Sequence, residues 1–449
     1  MNMGATKTGF SQEQRRWFDA ACGNINAQRL KQLVCSLTNI HSPTGNERQA
    51  SEFLTGYLAA AGFSAQYQPV TDRSGNCIGR LRGAGTGPNL MLYAPMDTHL
   101  DAEEKLDIPW VGRHLRADML PKAEIRGDTV IGLGASNPKS MVATLVEAAH
   151  CVQEAGVPLN GDVIVASAGG GMPWICTERD NAGISSGVRH LLGSGINPDF
   201  GVIFKPWDEV YFENPGMCWF KVTTWGTMGY AGIARGTPGF TSSIVPAAQL
   251  ILELEQWLAE YPERHQSEQV SPQGWIAAVR SGWPDKPAFP AAACEIFLDI
   301  RTNPDQKIAD VEVEFSAAMR AILHRYPDIR AEWKMYAACQ GTRTDKNHWI
   351  VQSATRSWEA VHGRPYPGAA KMSGQTDAAT ICGMGVPLAR IGYPFIGEKD
   401  MPPEFAEGLG GMGVACIPDL LVPCRELIYM IIDSCTRTRA EVGLAMNPG

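Results

Sequence analysis

The feature that most constrains this chain is a short apolar stretch at residues 90–94, which predicts a buried β-strand. Pro88 and Pro95 bound the stretch, and Asp97 and His99 follow just beyond its carboxyl end. In open α/β sheets, ligands bind outside the carboxyl ends of the strands. We therefore expect an α/β domain with a functional site at the end of this strand, and Asp97 and His99 are its first candidate residues.

Composition limits the kinds of protein that this chain can be. Its 449 residues exceed the size at which a single hydrophobic core stops growing, so two domains are expected. The net charge of -8 leaves no basic footprint for nucleic acid or for an anionic membrane surface. No apolar run approaches the roughly 20 residues that cross a bilayer, and the first residues lack the pattern of a signal peptide. We expect a cytoplasmic protein with a small-molecule substrate.

Further helix and strand patterns surround the central strand in a definite order. Residues 42–47, Ser-Pro-Thr-Gly-Asn-Glu, form a turn before a helix whose apolar positions recur at helical spacing. Strands are predicted near residues 64–70 and 76–81. From residue 216 onward the pattern changes to strand, helix, two strands, helix and strand, which is a split βαβ layer.

These motifs, in this order, resemble the M20 family of metallopeptidases and amidohydrolases. Two further phrases carry the resemblance, Gly-Leu-Gly-Ala-Ser-Asn-Pro-Lys-Ser at 132–140 and Ser-Gly-Gln-Thr-Asp-Ala at 373–378. The resemblance implies a mixed-sheet α/β catalytic domain of the zinc-exopeptidase type, with an inserted α+β lid and dimerisation domain of β-α-β-β-α-β order. The implied boundaries are 1–215 and 335–449 for the catalytic domain and 216–334 for the lid.

The residues that bind two metal ions in the family are replaced in this sequence, with one exception. Where the family has a metal-binding His-x-Asp after the central strand, this chain keeps only Asp97. Asn137 stands where an aspartate bridges the two ions, and Lys205 stands where another acid is expected. Glycines at 169–171 replace two adjacent glutamates, and residues 408–413 contain no counterpart of the last histidine ligand. We therefore expect no metal ligands at this site and no other cofactor.

The replacements are physically consistent with one another. Carboxylates crowded within a few ångströms repel each other unless divalent cations balance them. Glycine, asparagine and lysine remove that repulsion, and Lys139 and Lys205 become possible charge partners for Asp97. A run of glycines also presents backbone N–H groups to an anion. The sequence therefore predicts a metal-free pocket that suits a small anionic substrate.

Three functions are compatible with such a pocket, because a fold does not determine its function. The first is a metal-independent hydrolase of an amide or other C–N bond. The second is a catalytically inactive small-molecule binding protein of the same fold. The third is a metallohydrolase with relocated ligands, for which the nearby candidates are Asp97, His99 and Cys176.

The candidate site residues fall into two groups. The candidate catalytic residues are Asp97, His99, Lys139 and Tyr230. The candidate substrate-binding residues are Ser136, Asn137, Gly170, Lys205, Arg301, Gln375 and Thr376. Asp97 is a candidate general base, His99 has an imidazole suited to proton transfer near neutral pH, and the lysines suit a substrate carboxylate or an oxyanion.

Several of these residues have structural alternatives. Ser136 and Lys139 have the S-x-x-K spacing of a lysine-activated serine, but a helix N-cap serine gives the same pattern. Either lysine can instead form a salt bridge with Asp97. Arg301 can pair with an acid on the lid, and Cys176 is either structural or a nucleophile.

The resemblance also implies a partner. In the family, a lid histidine reaches the active site of the other subunit, and Tyr230 stands at its place in this chain. We therefore expect a homodimer formed through the lid domain. Tyr230 would then either donate its hydroxyl to a developing oxyanion across the interface or only pack there.

Overall fold

The computed structural model describes residues 9–175, 179, 181, 183–394, 401–405 and 412–445. It confirms the predicted fold class, an α/β fold with a mixed sheet. The chain forms two compact units, which we call unit 1 (residues 1–212, 344–369 and 376–449) and unit 2 (residues 213–343 and 370–375). None of the helices in the described part of the chain combines the length and the apolar character needed to cross a bilayer.

The strands are numbered in chain order. They are β1 Ser64–Pro69, β2 Gly75–Leu81, β3 Leu90–Pro95, β4 Glu124–Arg126, β5 Thr129–Ile131, β6 Val163–Ala168, β7 Phe200–Pro206, β8 Glu213–Asn214, β9 Gly216–Trp225, β10 Gly274–Ser281, β11 Ala293–Thr302, β12 Ala331–Cys339, β13 Thr342–Arg343, β14 Leu388–Tyr393 and β15 Val414–Cys416.

The α-helices are numbered in the same way. They are α1 Gln12–Gly23, α2 Ala27–Thr38, α3 Arg48–Ala60, α4 Glu104–Val111, α5 Met141–Glu154, α6 Ser186–Gly193, α7 Ala231–Ala234, α8 Ile244–Arg264, α9 Ile308–Arg325, α10 Trp349–His362, α11 Asp377–Gly383 and α12 Ile417–Cys435. A π-helical turn, Ala135–Ser140, precedes α5.

Unit 1 is built on a six-stranded sheet of order β1-β2-β6-β3-β7-β14. β3 is parallel to both β6 and β7, and β7 is parallel to β14, whereas β2 is antiparallel to its neighbours. Every residue of β3, β6 and β14 is buried, which explains why the central strand reads as an uninterrupted apolar run in the sequence. The parallel strands bring their carboxyl ends to one edge of the sheet, which is where the candidate residues lie.

Unit 2 is built on an antiparallel sheet of order β10-β11-β9-β12. Alternate residues of β11 are buried, as expected for a sheet with one face in the core. Helices α8 and α9 supply buried residues at helical spacing, and Phe315 of α9 stacks on Phe220 of β9 with ring centroids 4.1 Å apart. β10 lies at the edge of the sheet, and most of its residues are exposed.

Candidate functional site

The site is a cluster of buried charges at the carboxyl edge of the six-stranded sheet. Asp97 follows β3, Gly170 follows β6, and Lys205 is the penultimate residue of β7. Since these three strands are parallel, their carboxyl ends meet at the same edge. The charged side chains of this cluster are Glu47, Asp97, Lys139, Lys205, Asp377 and Arg390, and the glycines beside them are Gly169, Gly170 and Gly171.

Asp97 is fully buried, and the chain itself satisfies both of its carboxylate oxygens. Oδ1 accepts the backbone N–H of Gly171 at 2.9 Å. Oδ2 accepts the N–H of Met172 at 2.8 Å and the hydroxyl of Thr44, also at 2.8 Å. Burial raises the pKa of Asp97, and these donors act in the opposite direction. A carboxylate bonded in this way is held by hydrogen bonds rather than by a cation.

Glu47 is a second buried carboxylate that the sequence reasoning missed. Its Oε1 accepts the backbone N–H of Gly45 at 2.7 Å and that of Gly170 at 2.8 Å. Burial, together with the negative charge of Asp97, raises the pKa of Glu47 to about 7. The glutamate ends the Ser-Pro-Thr-Gly-Asn-Glu phrase, so the signal was present in the sequence, although its contact with Gly170 joins residues far apart in the chain.

The backbone N–H groups of the glycine run bind two carboxylates of this chain, and their binding of an anionic substrate stays a prediction. Gly170 adopts a positive φ of 65°, a conformation that glycine adopts without strain. At Gly171, a Cβ atom would lie 2.7 Å from Oδ2 of Asp377 and 3.1 Å from Oδ1 of Asp97. Glycine is therefore required here so that the backbone can approach the two carboxylates.

Lys139 is fully buried and forms no direct ion pair with Asp97 within the described part of the chain. Its Nζ donates instead to Oγ of Ser42 and, at 3.3 Å, to the carbonyl of Met96. Burial lowers the pKa of Lys139 to about 7, although the negative charges of Asp97 and Glu47 raise it. A lysine whose pKa is lowered toward neutrality is typical of groups that transfer protons.

Lys205, Asp377 and Arg390 form the other side of the cluster. Burial lowers the pKa of Lys205 to about 8 and that of Arg390 to about 10. Burial raises the pKa of Asp377 to about 6, although its carboxylate accepts the hydroxyl of Tyr93 at 2.5 Å and lies near Lys205. Asp377 was not among the candidates, although it lies directly after Gln375 and Thr376, which were.

Three candidates near the cluster have structural contacts of their own. The hydroxyl of Ser136 hydrogen-bonds with the hydroxyl of Tyr393 and not with Lys139, so the S-x-x-K spacing does not form a serine–lysine pair. Oδ1 of Asn137 is buried and has no hydrogen-bond partner among the described residues. Thr376 is the N-cap of α11 and accepts the N–H of Ala378 at 3.2 Å.

His99 is enclosed at the edge of this region. Its ring packs edge-to-face with Trp110, and its Nδ1 is buried without a hydrogen-bond partner within the described residues. Burial lowers the pKa of His99 to about 4. The imidazole is therefore neutral at pH 7, and the role of His99 as a proton carrier near neutrality stays a prediction.

Three of the predicted site residues, Arg301, Tyr230 and Gln375, belong to unit 2. Arg301 pairs with Asp299 at 2.6 Å, which is the structural alternative weighed from the sequence. Tyr230 is 53% exposed and packs against Phe289, with ring centroids 6.1 Å apart. Gln375 is half-buried.

Cys176 and residues 406–411 lie outside the described residues, so the structure does not locate the roles predicted for them.

Several positions that the resemblance assigns to a dinuclear metal centre do not carry metal ligands in this chain. The oxygens of Asp97 are already bonded to backbone N–H groups and to Thr44. The ammonium group of Lys205 and the amide of Asn137 stand at two positions where the resemblance places acids. An ammonium group repels a divalent cation, and asparagine is a poor bridge between two cations.

Comparison with known proteins places this fold. No family model matches the sequence. Among solved structures, the dipeptidase Dug1p from Saccharomyces cerevisiae matches 94% of this chain and 99% of its own, with a TM-score of 0.70 and 10% identity. An M20 family metallo-carboxypeptidase from Sulfolobus solfataricus matches 90% of this chain and 98% of its own, with a TM-score of 0.63 and 13% identity. The chain therefore has the fold of the M20 peptidases and amidohydrolases, as the motifs predicted.

Among curated proteins, the chain is similar in sequence to the N-formyl-4-amino-5-aminomethyl-2-methylpyrimidine deformylase of Bacillus subtilis, with 26% identity over 308 residues. The match covers 64% of this chain and 66% of the deformylase, which is just under two thirds of its length.

The raised pKa of Asp377 predicts a pH-dependent effect of the Asp377→Asn substitution. Because the folded state raises this pKa from 3.8 to about 6, the native protein binds the proton more tightly than the unfolded chain. Wild-type stability therefore falls as pH rises from about 4 to 6, by up to about 3 kcal/mol from this group. Asparagine keeps an acceptor for Tyr93 and cannot ionise, so the stability of Asp377→Asn relative to wild type should increase over that range.

Urea denaturation at pH 4.5 and pH 7.5 measures this difference. Asp72→Asn, at an exposed position, is the control and should show no comparable change. If the stability of Asp377→Asn relative to wild type stays constant or falls as pH rises, the result would contradict the raised pKa of Asp377.

Proposed function

We propose that this protein is a hydrolase of an amide or other C–N bond in a small anionic substrate, and that it works without the dinuclear metal centre of the M20 family. The observation that carries the proposal is the cluster at the sheet edge, where backbone N–H groups and two lysines of lowered pKa stand in place of metal ligands. The deformylase supports the choice of reaction, because removing a formyl group from nitrogen is the hydrolysis of an amide.

The burial of each group supports a division of roles. All four groups are buried, but Lys205 and Asn137 keep 6% and 8% of their area exposed, whereas Asp97 and Lys139 have none exposed. We therefore assign substrate contact to Lys205 and Asn137. Lys205 would bind the negative charge, and the amide oxygen of Asn137, which is buried and unpartnered among the described residues, would accept a hydrogen bond. Lys139, with a pKa of about 7, is the group suited to take and return a proton.

A second candidate is a binding protein without catalytic activity. The observation that favours it is the satisfaction of Asp97 by three donors within the protein, because these bonds occupy the oxygens with which a general base would take a proton. The two candidates differ in turnover, since a binding protein would retain the ligand and leave it unchanged.

The proposal predicts the effects of chelator and of Lys205→Met on N-formyl, N-acyl and N-carbamoyl compounds that bear a carboxylate. Turnover should be unchanged after dialysis against EDTA. Lys205→Met keeps much of the aliphatic stem and removes the charge, so it should weaken substrate binding by about 1.5 to 3 kcal/mol, roughly ten- to a hundredfold. Lys105→Met, at an exposed position, is the matched control.

Steady-state kinetics and calorimetry on the same protein separate the outcomes. Loss of turnover in EDTA and its return with zinc would contradict metal-independent hydrolysis. Tight binding of a compound by the wild type with no turnover of any compound in the panel would establish the binding protein.

We also propose that the protein is cytoplasmic. We further propose that two copies associate through unit 2. Strand β10 is an unprotected sheet edge, with Trp275 64% exposed and Val279 52% exposed. Edge strands with apolar exposure pair readily with a second chain. Other exposed apolar side chains of unit 2 belong to Trp225, Met228, Ile233, Ile244, Val245, Leu252, Trp283 and Phe289.

A charge placed on this edge should break the association. Val279→Lys is expected to convert a dimer to a monomer in analytical ultracentrifugation, because a lysine would lose its hydration in the interface. Met384→Lys, at an exposed apolar position of unit 1, should leave the dimer intact. A wild-type monomer, or a dimer unaffected by Val279→Lys, would contradict an interface at β10.

A further inference from the structure

A second group of potential ligands lies in unit 1 and shares no residue with the buried cluster. Asp208 follows β7, His362 is the last residue of α10, and Glu426 lies within α12. One potential ligand atom from each of the three side chains lies within 4.8 Å of the other two. Their positions in the sequence are so far apart that no spacing motif could reveal the group.

The distances from the imidazole of His362 to the two carboxylates are compatible with the coordination of one ion. Nε2 of His362 lies 3.1 Å from Oε1 of Glu426 and 3.4 Å from Oδ2 of Asp208. A tetrahedral zinc ion with bonds of about 2.0 to 2.1 Å separates its ligand atoms by about 3.3 Å. The imidazole ring is stacked on Trp358, with centroids 4.1 Å apart and an interplanar angle of 15°, so its orientation is fixed by packing.

Two carboxylates and one imidazole make up this group. A single ring nitrogen carries at most one proton, and that proton is shared between two carboxylates. Glu426 is buried, and His362 is its only hydrogen-bond or ion-pair partner among the residues that the structure describes. One divalent cation between the three side chains would neutralise both carboxylates and leave the imidazole as a neutral ligand.

We propose that Asp208, His362 and Glu426 bind one divalent transition-metal ion of the zinc class. One imidazole nitrogen and two carboxylate oxygens are a donor set that suits zinc, and three protein ligands leave a fourth position for water. The side chains of Asp208 and His362 are 22% and 19% exposed, which gives the ion a route from solvent, and that of Glu426 is 2% exposed and closes the inner side. The ion would join the end of β7 to α10 and α12.

Zinc uptake by the full-length protein tests this proposal. After dialysis against EDTA and removal of the chelator, calorimetric titration with zinc should show one equivalent bound by the wild type. His362→Ala and Glu426→Gln should bind zinc at least tenfold more weakly. His190→Ala is the matched control. His190 is exposed, so this variant measures how much zinc binding is lost when any exposed histidine is removed.

Two results would overturn the proposal. In one, the EDTA-treated wild type takes up no zinc, and in the other, all the variants bind it as tightly as the wild type does. Either result would make the group a simple ion pair. If circular dichroism shows that His362→Ala is unfolded, Asp208→Asn gives the answer, because Asp208 is partly exposed and the substitution preserves its shape. No substrate is used, so this outcome is separate from that of the hydrolase proposal.

Discussion

The hydrogen bonds between the glycine run and two buried carboxylates are the interaction on which the rest of the site depends. Gly170 donates its N–H to Glu47, and Gly171 donates its N–H to Asp97. Two carboxylates buried near each other would repel strongly if nothing compensated them. Backbone N–H groups supply partial positive charge from a fixed position, and here they bond to both carboxylates.

The remaining charges follow from that arrangement. Lys139 and Lys205 lie close enough to the carboxylates for their pKa values to respond to them, but burial is the larger effect and lowers both values to about 7 and about 8. A buried group whose pKa lies near the working pH is typical of active sites, although structural clusters also show it. Within the cluster, Lys205 combines such a pKa with 6% exposure, which is why we propose it as the group that binds the charge of the substrate.

The sequence predicted the parts of this structure that depend on local pattern. The buried strand β3, the edge of the sheet and the presence of Asp97 there followed from an apolar run and its flanking residues. That the glycine run offers its N–H groups to an anionic substrate stays a prediction. The contact between Glu47 and Gly170 could not be predicted, because it joins residues 123 positions apart and depends on tertiary packing. The group of Asp208, His362 and Glu426 was missed for the same reason.

The most direct test of the account is amide hydrogen exchange at Gly170, Gly171 and Met172, measured in EDTA and again after zinc is added. If these amides are bonded to Glu47 and Asp97 in the absence of metal, they should exchange as slowly as the buried amides of β6 in both conditions. Fast exchange in EDTA that becomes slow with zinc would contradict the account, because it would show that a metal ion organises this edge of the sheet.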